Sequence, residues 1–257
     1  MGEEELLMTV CPTLALVFLE DWNQKGSIMK IGIIAAMEQE LSHLLEQLTN
    51  KKAEVVLNKT YYTGQIGQHD LVLVQSGVGK VMSAMSVAIL ADHFGVQAVI
   101  NTGSAGALAP GLNIGDVVLA DRLAYHDVDL TAFSYDYGQM SMQPLYFESD
   151  PHFLEVFQKV LSQHKRPSRV GLITTSDSFI AGQDKIEQIK AHFPDTLAVE
   201  MEGAAIAQAA QAAELPFIVV RAMSDTAAHD ANITFDEFIL DAGRQSAELL
   251  IDFLKTI

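Results

Sequence analysis

Three acidic residues stand where the chain leaves an apolar run: Glu40, Glu202 and Asp225. Leu197-Ala198-Val199 runs into Glu200-Met201-Glu202, and an alanine-rich stretch of helical composition follows. Phe217-Ile218-Val219-Val220-Arg221-Ala222-Met223-Ser224 ends on Asp225, and Glu40 falls in the first helical turn after Lys30-Ile31-Gly32-Ile33-Ile34-Ala35-Ala36. Open α/β sheets place their ligand crevice beyond the carboxyl ends of the strands, so one crevice can collect all three acids. A carboxylate in that low-dielectric setting is costly unless something binds it, and the two hydroxyls of a ribose would serve. Cleaving an N-glycosidic bond uses such a set. The ribosyl group gains oxocarbenium character, the leaving base needs a proton, and water must lose one. An aspartate after a long apolar run is a candidate acid, because desolvation raises a carboxyl pKa. On spacing alone, ordinary helix-cap and turn acids explain the three more simply, since acids are favoured in first helical turns.

Other chemistries find less support. Two glycine-rich segments follow apolar runs and read as turns: Ser76-Gly77-Val78-Gly79-Lys80 and Asn101-Thr102-Gly103-Ser104-Ala105-Gly106. A phosphate-binding Walker loop requires glycine at position 74 and serine or threonine at 81, where this chain has Val74 and Val81. The dinucleotide fingerprint requires a third glycine where Met82 stands. What remains is close backbone approach to an uncharged group such as a ribose or a base edge. The densest histidine cluster, His126-Asp127-Val128-Asp129, lacks metal-ligand spacing, so no metal is expected. The lone cysteine, Cys11, excludes an intrachain disulfide and fits a reducing cytoplasm.

With 33 acidic against 16 basic residues the formal charge is −17, which argues against nucleic acid or an anionic membrane as partner. No apolar run reaches the roughly 18–20 residues of a spanning helix. About half of the 257 residues are apolar and mean hydropathy is +0.19, enough for a sizeable core. Residues 1–28 differ from the rest. Glu3-Glu4-Glu5 precede their apolar stretch, the reverse of a secretory signal's basic start, and Pro12 interrupts it. They read as an extension upstream of Met29 that carries no chemistry, with one domain over residues 29–257.

The elements that must position the acids alternate. Strands are expected at 30–36, 55–57, 61–66, 70–75, 97–101, 116–120, 170–174, 197–199 and 217–222. Helices are expected at 38–50, 79–94, 151–164, 183–192 and 202–213. Asp150-Pro151 is a capped helix start, and Thr234-Phe235-Asp236-Glu237 has the capping-box spacing to open a C-terminal helix. This alternation without a linker predicts a three-layer α/β/α sandwich, and the strands between 55 and 75 make the sheet mixed.

Six segments in order resemble the 5′-methylthioadenosine/S-adenosylhomocysteine nucleosidase family: Ala36-Met37-Glu38-Gln39-Glu40, the two glycine-rich segments, Ser178-Phe179-Ile180, Val199-Glu200-Met201-Glu202 and Arg221-Ala222-Met223-Ser224-Asp225. The resemblance runs from Met29 to the C-terminus. It implies a purine nucleoside phosphorylase-like fold with a partly barrel-like sheet, a homodimer, and cofactor-free hydrolysis serving methionine salvage. By this resemblance Glu40 activates water, while Asp225, helped by Ser224, protonates the purine. Glu202 holds the ribose hydroxyls with Met201 beside it, Phe179 stacks on adenine, and the backbone of Ile180 reads its edge. Ser104 and Gly106 form the floor, and Arg221 belongs to the same substrate-binding set. Met37, Val78 and Phe235 surround the 5′-alkylthio group, with Phe133 and Tyr135 supplied by the other subunit. A thioether suits such an apolar, methionine-lined slot. Gly203 stands where alanine would be expected, a change expected to be harmless.

Two alternatives stay open on the sequence. A phosphorolytic purine nucleoside phosphorylase of this fold needs a cationic cradle, and only Lys80 and Arg221 are on offer near the motifs. A non-catalytic nucleoside-binding protein would need the pocket but neither Glu40 nor Asp225.

Overall fold

The computed structural model describes residues 28–164, 167–226 and 231–257. The expected extension therefore lies outside the described residues, save Ile28. The strands are β1 (Lys30–Ala35), β2 (Thr49–Val56), β3 (Lys59–Ile66), β4 (His69–Gln75), β5 (Ala98–Ala107), β6 (Val117–Tyr125), β7 (Phe147–Glu148), β8 (Ser168–Thr175), β9 (Ala198–Glu200) and β10 (Phe217–Asp225). The helices are α1 (Glu38–Gln47), α2 (Lys80–Asp92), α3 (Pro151–Gln163), α4 (Gln183–His192), α5 (Gly203–Ala212) and α6 (Ala231–Leu254).

All the strands join one mixed sheet that closes on itself. β5 runs parallel to β10, β10 antiparallel to β6, β6 parallel to β8, β8 parallel to β9, and β9 returns antiparallel to β5. An arm leaves this closed part through β1 and β4, both parallel, and ends in the antiparallel strands β3 and β2. Closure leaves β5 no open edge or face, and all ten of its residues are buried.

Alternating side chains of the central strands feed opposite faces. Val99, Val219 and Met223 pack with Val87 and Leu90 of α2 and the alanine-rich face of α5. Ile100, Ile218 and Val220 pack with α1, α3 and α6, including Leu44, Phe157 and Phe253. These are the expected three layers. Asp150 caps α3 as expected, its carboxylate accepting the Phe153 N–H at 2.9 Å beside Pro151.

Several expectations need correcting. Asn101–Gly106 is no turn: the strand runs through it to Ala107. The strand expected at 55–57 begins at Thr49, and α1 stops at Gln47. Every residue of β2 but the last is exposed, so neither face carries an apolar alternation to reveal it. α6 starts at Ala231, three residues before the expected capping box. Among the described residues, no helix is long and apolar enough to cross a membrane.

Candidate active site

A cavity of about 230 Å³ opens at the carboxyl ends of β1, β5, β9 and β10. Glu40, Glu202 and Asp225 all line it. The three acids that the sequence separates by up to 185 positions thus meet in one chamber.

Glu40 arises from a local device. Met37 is the N-cap of α1 and Glu40 its third residue, so the carboxylate reaches back to cap the helix start. Oε2 accepts the Ala36 and Met37 N–H groups at 3.0 and 3.1 Å. Oε1 accepts both the N–H and the hydroxyl of Ser104, each at 2.9 Å. Four donors from two elements therefore hold a side chain that is only 2% exposed. Gly103 makes the approach feasible, because a Cβ there would lie 2.7 Å from Glu40 Oε1 and also against the Arg221 guanidinium. Gly103→Ala is expected to displace the carboxylate and cost about 1–3 kcal/mol of stability together with most of the turnover. Thermal melts and steady-state rates check both.

The second acid sits on a charged foundation. Glu200 Oε2 accepts the N–H groups of Glu202 and Gly203 at 2.9 and 2.7 Å, and its Oε1 accepts the Thr175 hydroxyl. Arg221 donates through one nitrogen to Glu200 and to Asn101, both at 2.5 Å. Glu202 Oε1 accepts the Gly79 N–H at 2.9 Å, while Oε2 lies 3.6 Å from Arg221. Burial, with the Glu200 charge adding to it, pushes the Glu202 carboxyl up to about 7, against the opposing pull of Arg221. A carboxyl raised in this way lends stability below its ordinary value of 4.5, and that stability is lost as the pH rises through about 7. Glu202→Gln is accordingly expected to melt higher than the parent at about pH 8, the advantage vanishing below about pH 4.5. Melting curves across this range check the sign.

Asp225 is 2% exposed at the end of β10, and the Ser224 hydroxyl donates to its Oδ2 at 3.1 Å. The remaining wall is largely apolar. Met37, Val78, Met201 and Ile180 line it, and Phe179 meets Phe235 edge-on at 5.7 Å and 77°. Ser104 and Gly106 form part of the lining.

Sequence similarity decides the family. The chain matches the phosphorylase superfamily over residues 30–257. It is 45% identical to the 5′-methylthioadenosine/S-adenosylhomocysteine nucleosidase of Listeria welshimeri, over 89% of this chain and all of the relative. The chain belongs to the 5′-methylthioadenosine/S-adenosylhomocysteine nucleosidase family. The S-adenosylhomocysteine nucleosidase of Streptococcus pyogenes, solved with 5-methylthiotubericidin, superposes with a TM-score of 0.89 at 66% identity, covering 91% of this chain and 99% of that one. The Streptococcus pneumoniae nucleosidase with the transition-state inhibitor MT-ImmA gives 0.87 at 65% identity, covering 89% and 99%.

Within this nucleosidase, three expected site residues stand away from the cavity wall. Arg221 is fully buried behind it, engaged by Glu200 and Asn101 rather than facing the chamber. Phe133, in a single 3-10 turn, is 75% exposed, and the Tyr135 hydroxyl meets Ser141 at 3.1 Å. Neither aromatic lines the chamber of its own chain. Sequence reasoning missed the work of Glu200 and Asn101, and of the Gly79 N–H, which serves a carboxylate rather than a sugar or base. The paired acids of Val199–Glu202 signalled Glu200; both acids line the cavity, and Glu200 is the one bonded by Arg221 and by Thr175 of β8. Gly203 has a packing reason: a Cβ there would lie 2.6 Å from Leu123 Cδ2 and 3.1 Å from Glu200 Oε1.

Proposed function

We propose that the chamber divides the hydrolysis of 5′-methylthioadenosine and S-adenosylhomocysteine to adenine and the 5-substituted ribose among its three acids. Hydrolysis of these nucleosides is the activity of the family. Asp225 donates a proton to the departing purine, steadied by the Ser224 hydroxyl at 3.1 Å. Glu40 takes a proton from the attacking water. Glu202 accepts the ribose hydroxyls with the oxygen not engaged by Gly79. Phe179 and Ile180 enclose the adenine, and Met37, Val78, Met201 and Phe235 enclose the sugar and its thioether tail. The observation that carries this assignment is the meeting of Glu40, Glu202 and Asp225 in one apolar chamber.

No lysine or arginine lines the cavity among the described residues, which favours water over phosphate as the acceptor. Incubation with methylthioadenosine in the absence of phosphate is expected to release adenine, and strict phosphate dependence would overturn the assignment. The apolar tail slot also extends the substrates to 5′-deoxyadenosine and disfavours adenosine, whose 5′-hydroxyl would lose its hydrogen bonds there.

A homodimer completes this reading. Phe133 and the exposed α2 side chains Val81, Met82 and Met85 offer apolar surface that a second copy would cover. Phe133 and Tyr135 would then reach the partner's tail slot. Sedimentation at increasing concentration is expected to report a dimer, and a persistent monomer would remove both residues from the site.

A further inference from the structure

One charged cluster beside the chamber is not used by the chemistry above. Lys80 occupies the first turn of α2, where the helix dipole disfavours a cation. Its ammonium nevertheless sits between the two oxygens of Asp127 at 2.9 and 2.8 Å, 3.7 Å from Asp177 and 5.3 Å above the Tyr125 ring. The backbone joins in. The Lys80 N–H donates to Asp177 Oδ1 at 2.8 Å, supplying the cap that Gly79 lacks, and the Asp177 N–H donates to Asp127 Oδ2 at 3.1 Å. Gly79 has φ +98°, and a Cβ there would lie 2.9 Å from Asp177 Oδ1, so the glycine leaves room for this carboxylate.

Each arm of the cluster adjoins a different part of the site. Lys80 follows Gly79, whose N–H holds Glu202. Asp177 precedes Ser178, Phe179 and Ile180, which line the chamber. Asp127 follows β6 and leads into the segment carrying Phe133 and Tyr135.

We propose that Lys80, Asp127 and Asp177 form a positioning knot that holds the sugar-binding acid Glu202 and the base-binding loop 178–180 at a fixed separation. The proposal rests on the sugar and base roles assigned above. Half-exposed ion pairs contribute little to global stability, so the knot acts on ligand binding. Sugar and base contacts persist from ground state to transition state, so loosening them raises KM more than it lowers kcat.

Lys80→Met and Lys80→Arg test the idea, with methylthioadenosine turnover, calorimetric binding of adenine alone, and thermal melting read for each. Lys80→Met is expected to raise KM roughly tenfold with a smaller change in kcat and little change in melting temperature. Lys80→Arg, able to keep both carboxylates, is expected to recover most of that loss. Should Lys80→Met fail to fold, Asp177→Asn, which leaves the Lys80–Asp127 pair intact, is expected to show the same split. A KM and an adenine affinity both unchanged in Lys80→Met would overturn the knot, as would Lys80→Arg performing no better than Lys80→Met. A wild-type protein that releases no adenine would instead sink the functional reading, and the adenine affinities would still judge the knot.

Discussion

Asp225→Asn is expected to bind methylthioadenosine with nearly the parent affinity and to release adenine about 10²–10⁴-fold more slowly, the range for loss of a general acid. The substitution keeps the shape of the side chain and leaves an amide oxygen to accept from the Ser224 hydroxyl, now 3.1 Å from Oδ2. What it removes is the transferable proton. Adenine leaves poorly as an anion, so the missing proton falls on the bond-breaking step rather than on binding. Single-turnover adenine release, measured beside equilibrium binding, separates the two. Unchanged release would remove Asp225 from the chemistry and leave bond breaking to other groups of the chamber.

Glu40→Gln is expected to lower kcat by a similar factor of about 10²–10⁴, and here stability falls as well. Glu40 accepts from Ala36, Met37 and both donors of Ser104. A glutamine can turn only one oxygen toward this ring of donors, and its amide NH₂ must face the others. A buried donor left without an acceptor costs about 1–3 kcal/mol. Glu40→Gln should therefore melt several degrees below Asp225→Asn, by roughly 2–4 °C per kcal/mol for a chain of this size. Equal melting temperatures would mean that the four bonds do not hold the carboxylate as described.

The contrast between these acids bears on what was legible in the sequence. Short apolar runs followed by Glu40, Glu202 and Asp225 allowed a crevice at strand ends, with the family resemblance weighing against ordinary cap and turn acids. The layered alternation followed from short apolar runs between helical stripes. Asn101–Gly106 misled because glycine, serine and threonine ordinarily punctuate turns; here the small side chains let Glu40 and Arg221 approach the strand backbone. β2 was hidden for the opposite reason, since an exposed edge strand has no buried face to pattern. Arg221 was read as a substrate-binding residue and stands buried behind the wall instead, because its acceptors Glu200 and Asn101 come from other strands. The cap of Asp150 on the Phe153 N–H, three residues on, could be placed from the sequence, and the bonds of Arg221 across the sheet could not.

Three of the bonds that finish the chamber are long-range: Ser104 to Glu40 spans 64 residues, Arg221 to Asn101 spans 120, and Gly79 to Glu202 spans 123. A proteolytic fragment lacking either half of the polypeptide is expected to release no adenine. Contacts so distant in sequence pay their loop-closure entropy late, so renaturation is expected to restore helical circular dichroism before enzymatic competence. Regained adenine release after dilution from denaturant would then serve as a clock for the last closing step of the barrel.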